Sequence, residues 1–383
     1  MILSEETLLA LGLILLFGLA LPDLLRRFRF PLASILLVLG SFLGPHGMEY
    51  VQEDTTISFI GSLGAAFLML LAGMESRYTG MLRYRGPMLR LLLINGILPG
   101  VVGLGIARLF GYDWVASVLT GLIFLSSSVV MVYAQIKPNS PFRADRYLHG
   151  LVAYADLLSL LGLAVLLHVL DDVTRFPTLI YLGLLVASIL LLRMFLPELV
   201  RFFFRRYERN KESDEEDVLE SKVQLVIGIL MLSLVLYMAM GVQAAVAAFF
   251  VGFSLSRLEE VESLKLRLRT IGYSLFIPVF FFIVGMQMDG KILLKLAGGT
   301  GFIPVFVIAA LGMKLLTGYA GGKLEKLPGR DAFRLGAGSM IRLVTTLTVA
   351  YTARIMDLID TRMVTAVIVL TIISVILGPL LLS

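Results

Sequence analysis

Residues 150–170 read GLVAYADLLSLLGLAVLLHVL, an apolar run with a single carboxylate, Asp156, inside it. A helix entered near Tyr147 rises about 1.5 Å per residue, which carries Asp156 about 14 Å along its axis. The hydrocarbon core of a bilayer is roughly 30 Å thick, so this acid is expected close to the midplane. A carboxylate there costs several kcal/mol unless it is paired, wetted or protonated. The stretch therefore predicts a membrane helix whose acid is retained for its chemistry.

The rest of the chain has the same character. Of its 383 residues, 58% are hydrophobic and 16% charged, with a mean hydropathy of +0.91. Soluble domains run near 45–50% apolar and about 25% charged. An all-α polytopic membrane protein follows, because a β-barrel would show roughly ten-residue alternating segments instead. With no cysteine, disulfides, thiolate metal sites and thiol nucleophiles are excluded. His46, His149 and His168 are scattered without metal-ligand spacing, so neither a metal site nor a cofactor is expected. The net charge of +5 reads as membrane topology rather than nucleic-acid binding. Met1–Glu6 has no basic residue, so the first apolar run reads as a retained helix, not a signal peptide.

Thirteen apolar spans are predicted, near 6–24, 31–47, 56–74, 87–110, 114–135, 147–169, 177–200, 222–240, 242–257, 271–288, 300–320, 332–353 and 361–382. Lys and Arg concentrate at alternate connections, which places the N-terminus outside and the C-terminus in the cytoplasm of a bacterial or archaeal plasma membrane. The one long polar stretch, Arg205–Lys222, separates six spans from six of opposite orientation. That is the arrangement of inverted-topology repeats. The expected organisation is a first six-helix repeat over 1–170, a linker helix and charged loop over 171–221, and a second repeat over 222–383. LGAAFLMLLAGMES in span three and IPVFFFIVGMQMDG in span ten echo each other, with Gly73-Met74 matching Gly285-Met286. The run LEEVESLKLRLR, 258–269, reads as a charged amphipathic linker at the interface.

The polar residues inside spans are few. Ser126, Ser127 and Ser128 stand at mid-depth in span five. They read either as hydroxyls bonded back to their own helix or as an unwound segment facing a cation. Span twelve carries Gly336, Gly338, Thr345, Thr346 and, about 15 Å in, Arg342. Lys314 in span eleven reads as snorkelling or as a core charge, and Arg342 as a buried ion pair or a charge set against a helix C-terminus. Glu75 closes span three, where an interfacial role and a place on an ion pathway are both open; Thr345 and Thr346 are expected along the same path.

At these residues the chain resembles the monovalent cation:proton antiporters, in particular the branch with Kef-type potassium efflux systems and bacterial sodium/proton antiporters. The matching pieces, in family order, are ASILLVLGSFLGPHG, LGAAFLMLLAGMES, TGLIFLSSSVVM, GLVAYADLL, AAVAAFFVGFSLS and FIPVFFFIVGMQMD. The resemblance implies a core domain, spans four to six and eleven to thirteen, that moves against a dimerisation domain in a homodimer. It implies that spans five and twelve cross as broken helices. Asp156 matches the family's ion-binding aspartate, Ser126–Ser128 its hydroxyl-bearing crossing segment, and Lys314 a core lysine. Three departures stand out. Ala155 replaces a residue that is commonly Asp, Asn, Glu or Gln in the family. Arg342-Leu343-Val344 lacks the acid of an Arg-Gly-Glu-like run. The chain also stops at Ser383, where many Kef-type members continue into a cytoplasmic nucleotide-binding domain, so a short or truncated member is expected, with a regulatory domain or subunit as a partner.

The function expected from these features is secondary transport by alternating access. A monovalent cation, K+ or Na+ with the Kef likeness tilting toward potassium, is exchanged for a proton. With Ala155 leaving Asp156 as the sole acid, exchange is expected to be electroneutral. Two buried cations against one midplane acid also motivate an ion channel or anion-handling permease, and a transport-inactive subunit with a regulatory partner is a third reading. An enzyme is not expected, since no acid pair, Gly-x-Ser-x-Gly or HExxH run is present.

Overall fold

A computed structural model describes residues 5–24, 31–52, 54–75, 85–136, 140–170, 177–208, 215–258, 261–289 and 301–382. Among them the thirteen spans appear in the predicted order, and no strand is formed. The helices are α1 (Glu5–Leu24), α2 (Leu32–Leu43), α3 (Thr55–Glu75), α4 (Arg85–Leu92), α5 (Leu98–Leu109), α6 (Trp114–Leu125), α7 (Val129–Gln135), α8 (Arg143–Leu170) and α9 (Thr178–Glu208). They continue as α10 (Glu215–Ala239), α11 (Ala244–Leu255), α12 (Val261–Ile271), α13 (Ile277–Met286), α14 (Phe302–Leu324), α15 (Gly329–Ser339), α16 (Val344–Ile355) and α17 (Thr361–Leu382). Among the described residues, nine helical segments are long and apolar enough to cross a membrane.

Four spans are interrupted, and each interruption has a local cause. α4 joins α5, and α12 joins α13, through one turn of π-helix, Leu93–Ile97 and Gly272–Phe276. Each turn is followed at the second position by proline, Pro99 or Pro278. A proline lacks the N–H for the i−4 carbonyl and its ring collides with that carbonyl. Widening one turn to the π spacing accommodates it without ending the helix. The other two interruptions, at Ser126–Ser128 and Met340–Leu343, are true breaks with extended or irregular backbone.

The 258–269 run differs from its expected form. From Val261 it is the helix α12, continuous through the π-turn with the span that follows. Leu264 and Leu268, one turn apart, are fully buried and give this charged segment its packing face. The polar stretch 205–222 is likewise helical at both ends, up to Glu208 and from Glu215; residues 209–214 lie outside the described residues. The break near Gly241 falls where the sequence puts it. Gly241 has φ +76°, and Val242 N–H reaches back to Tyr237 C=O at 2.9 Å, a left-handed helix stop that glycine adopts without strain.

Two helix pairs pack backbone to backbone. A Cβ on Gly252 of α11 would stand 2.0 Å from the Leu70 carbonyl of α3, and one on Gly73 of α3 would stand 2.2 Å from the Phe249 carbonyl of α11. In the second pair, a Cβ on Gly40 of α2 would meet the Phe282 carbonyl of α13 at 2.1 Å, and one on Gly285 of α13 would meet the Leu37 carbonyl of α2 at 2.2 Å. Leu37, Gly40, Leu70 and Gly73 map onto Phe249, Gly252, Phe282 and Gly285 by one constant displacement of 212 residues. The α2–α13 and α3–α11 contacts are therefore the same contact made twice with the partners exchanged. The Gly-Met echo in the sequence is one side of it.

Candidate functional site

Span five stops being helical at Ser126 and resumes at Val129. Every helix leaves its last carbonyls and first N–H groups without internal partners. In a dry interior these must be met, and here each end meets a different charge.

The C-terminal end of α6 meets the two buried cations. Arg342 donates through one nitrogen to the Ile123 carbonyl and through the other to the Phe124 carbonyl, the latter at 2.8 Å. Lys314 Nζ donates to the Leu125 carbonyl at 2.7 Å and to Ser127 Oγ at 3.2 Å. Both side chains are fully buried. Lys314 therefore does not snorkel, and Arg342 makes no ion pair: three successive carbonyls at the negative end of the helix dipole take up the two charges. The backbone of Arg342 is pinned by Ser374, which accepts from its N–H and donates to its carbonyl, both at 3.1 Å.

The N-terminal side of the break meets Asp156. Its carboxylate accepts the N–H of Ser127 at 3.1 Å and of Val129, the first residue of α7, at 3.3 Å. Asp156 is buried, and among the described residues it is in no ion pair. Donors at the positive end of a half-helix are what a carboxylate needs when no cation is paired with it. Ala155, beside it, is buried and offers no polar atom.

The second break is tied to the first. Ser127 Oγ donates to the carbonyl of Ser339, the last residue of α15, at 2.8 Å. Ser126 Oγ and Thr346 Oγ1 share a hydrogen bond of 2.8 Å, with Ser126 also donating to Ile123 C=O. Of the remaining hydroxyls, Ser128 Oγ and Thr348 Oγ1 are buried with no protein partner among the described residues. Thr345 stands beside the Asp156 carboxylate. Each such orphan costs roughly 1–3 kcal/mol, so a cluster of them beside an unpaired acid marks a place where something else supplies the missing interactions.

The structure thus gathers Asp156, Ser126, Ser127, Ser128, Thr345, Thr346, Lys314 and Arg342 at the two breaks. It does not bring Glu75 into this network. Glu75 pairs with Lys265 of α12 at 3.1 Å, a partly exposed ion pair. One contributor escaped sequence reading. Asn95, fully buried in the first π-turn, donates to the Lys314 carbonyl at 2.8 Å and to Thr317 Oγ1 at 3.0 Å. The available signal was a polar residue and a proline together in the apolar run LINGILPG.

Comparison with known proteins places this geometry. The family model "Sodium/hydrogen exchanger, transmembrane" matches residues 12–383. The chain belongs to that family. Among curated exchanger relatives, "Probable Na(+)/H(+) antiporter 3" of Methanocaldococcus jannaschii is 25% identical over 373 residues, 94% of this chain and 91% of that protein. The Na+/H+ antiporter of Enterococcus hirae is 24% identical, covering 94% of this chain and 92% of its own. The Na+/H+–K+ antiporter GerN of Bacillus cereus is 23% identical, covering 96% and 93%. The solved sodium proton antiporter MjNhaP1 of M. jannaschii superposes with a TM-score of 0.68 over 98% of this chain and 96% of its own, at 18% identity, which establishes a shared fold. This exchanger is accordingly an integral membrane protein, and its relatives are transporters rather than enzymes.

Proposed function

We propose that this exchanger carries a monovalent cation and a proton in opposite directions on the same carboxylate, Asp156, one for one and without net charge movement. The observation that carries the reading is the lone acid itself: buried, in no ion pair among the described residues, held by two backbone N–H groups, with the Thr345 hydroxyl beside it and the unpartnered Ser128 hydroxyl between its two N–H donors. A charged, empty carboxylate crosses a dry barrier at a cost of several kcal/mol. A bound cation or proton removes that cost. Only loaded forms then cross, and competition for one site couples the two fluxes. Lys314 and Arg342 serve by fixing the end of α6 and so the position of the Ser127 N–H. Their occupation by carbonyls argues against an anion site, which would need those charges free.

Sodium is the first cation to test, because the relatives' names share it. The unit of α4–α8 and α14–α17 moves against the remainder, in a homodimer. The termini lie as the charge pattern puts them, N-terminus outside and C-terminus in the cytoplasm. The test is cation-driven proton movement in proteoliposomes, with sodium, potassium or choline and a pH-sensitive dye. Wild type should respond without building a membrane potential, and Asp156→Asn should be inactive while remaining monodisperse. An active Asp156→Asn, or a cation-dependent potential, refutes the single-site reading.

A further inference from the structure

The unpartnered Thr348 hydroxyl shares a helix face with Thr345, the hydroxyl beside Asp156. Thr345 and Thr348 of α16 are three residues apart, and Thr352 lies four further on; such positions stack along one side of a helix. All three are buried, and Met356, at the end of α16, extends the same face by one more turn. Thr345 begins the row beside Asp156. Met356 ends it in a cavity of about 300 Å³, whose other walls include Leu167 and Leu170 of α8 and Gly241, Val242 and Gln243 of the α10–α11 turn. At about 30 Å³ per water, that cavity has room for a cation with a first shell of waters. Gln243 Nε2 points to Met356 Sδ at 3.7 Å across it. The opposing face of α8 runs Asp156, Ser159, Leu163, Leu167, again at helical spacing, and its two leucines are buried.

A row of threonines between a membrane-embedded acid and a water-sized cavity has a direct chemical use. Hydroxyl oxygens replace waters of hydration one at a time for an alkali cation, and they carry no charge that would trap it. A purely structural threonine in a helix bonds its hydroxyl back to the turn below, as Thr120, Thr365 and Thr371 do at 2.8–2.9 Å. Thr345 and Thr348 make no such bond. Thr345 turns its hydroxyl to Asp156 instead, and the Thr348 oxygen stays available at the expense of stability.

Resting on the exchange reading above, we infer that the Thr345–Thr348–Thr352 face of α16 is the dehydration route of the alkali cation between Asp156 and the Leu167–Gln243–Met356 cavity, with Thr348 as a ligand for the partly dehydrated ion.

The chain has no cysteine, so a single Thr348→Cys thiol can be followed on the natural background. Its reaction with a cationic methanethiosulfonate reagent in detergent should slow at least about tenfold in saturating sodium relative to choline. In proteoliposomes Thr348→Val, which keeps the shape and removes the oxygen, should raise the cation KM about fivefold, the equivalent of one hydrogen-bond-sized contact of about 1 kcal/mol. Thr348→Ser should stay within about twofold of wild type. A Thr348→Val KM equal to wild type, with Thr348→Cys equally reactive in sodium and choline, overturns the route. If Asp156→Asn is inactive at the same time, exchange at Asp156 still stands and the route alone falls. An active Asp156→Asn removes the reading beneath it.

Discussion

Replacing Arg342 by methionine tests whether its charge serves the end of α6. The side chain supplies the Phe124 carbonyl with its side-chain donor and the Ile123 carbonyl with one of two, the other being Ser126 Oγ at 2.9 Å. Methionine fills most of the volume but offers no donor. Phe124 C=O is then orphaned in a dry interior at roughly 1–3 kcal/mol, and Ile123 C=O loses about 1 kcal/mol of shared bonding. Loss of the positive charge from the negative helix end adds up to about 2 kcal/mol. A total of about 3–5 kcal/mol is expected. Arg342→Lys should recover about half, because one ammonium reaches one of two carbonyls set in a guanidinium's fork. Lys314→Met should cost less than Arg342→Met, since only Leu125 C=O is left bare. The assay is chemical unfolding in mild detergent, read by circular dichroism and by the fluorescence of Trp114. That residue is the chain's single tryptophan and the first residue of α6. An Arg342→Met unfolding midpoint equal to wild type would refute the capping argument. So would a rank order with Lys314→Met the more damaging.

Three further outcomes follow from the same geometry. Gly252→Ala and Gly40→Ala should each lower the unfolding midpoint markedly and by similar amounts, because the added Cβ meets a backbone carbonyl at 2.0–2.1 Å in equivalent places; a thermal-shift series showing one tolerated and the other not would contradict the equivalence. Asn95→Leu should reduce the unfolding midpoint and leave Lys314 less firmly placed, seen as a several-fold loss of exchange rate at unchanged cation KM; a rise in KM with normal rate would assign Asn95 to cation binding instead. Competition at one carboxylate requires the apparent cation KM to rise about tenfold for each unit of falling pH once Asp156 is mostly protonated, and initial rates at several sodium concentrations check it; a KM independent of pH would mean separate sites.

The number and order of the spans were open to sequence reading because hydropathy acts residue by residue. Asp156, Ser126–Ser128, Lys314 and Arg342 are conspicuous in apolar runs, and the structure brings them together at the two breaks. What they touch was not open to that reading. The partners of Lys314 and Arg342 are backbone carbonyls of Ile123, Phe124 and Leu125, and a carbonyl has no signature in composition. Neither π-turn was anticipated, because Pro99 and Pro278 lie in otherwise continuous apolar spans that hydropathy alone does not subdivide. The helix α12 was hidden for the opposite reason. Its charges dominate its composition, while Leu264 and Leu268 suffice to bury one face. The 212-residue equivalence was visible only as Gly73-Met74 and Gly285-Met286. Its other members, such as Leu37 with Phe249, share a position and not a side chain.

On the single-site reading proposed above, the placement of Lys314 and Arg342 decides how tightly exchange can be coupled. Suppose Lys314 were paired with Asp156. The empty site would be neutral overall, could cross without cargo, and would let either ion run down alone. With Lys314 on Leu125 C=O and Arg342 on Ile123 and Phe124 C=O, neither cation stands in an ion pair with Asp156, and both act on it only through space. The empty carboxylate then keeps most of its charge, softened by two N–H donors. If crossing in that form costs about 3–4 kcal/mol more than crossing loaded, the empty return is slower by about 10²–10³, at tenfold per 1.4 kcal/mol. That factor sets the ratio of coupled exchange to leak. A variant that freed Lys314 from Leu125 C=O and let it approach Asp156 should therefore fail in a distinctive way. Counterflow of labelled sodium would fall while uncoupled sodium efflux rose, in the same vesicles and at the same protein content. Loss of both together would instead mean that Lys314 acts only through the fold.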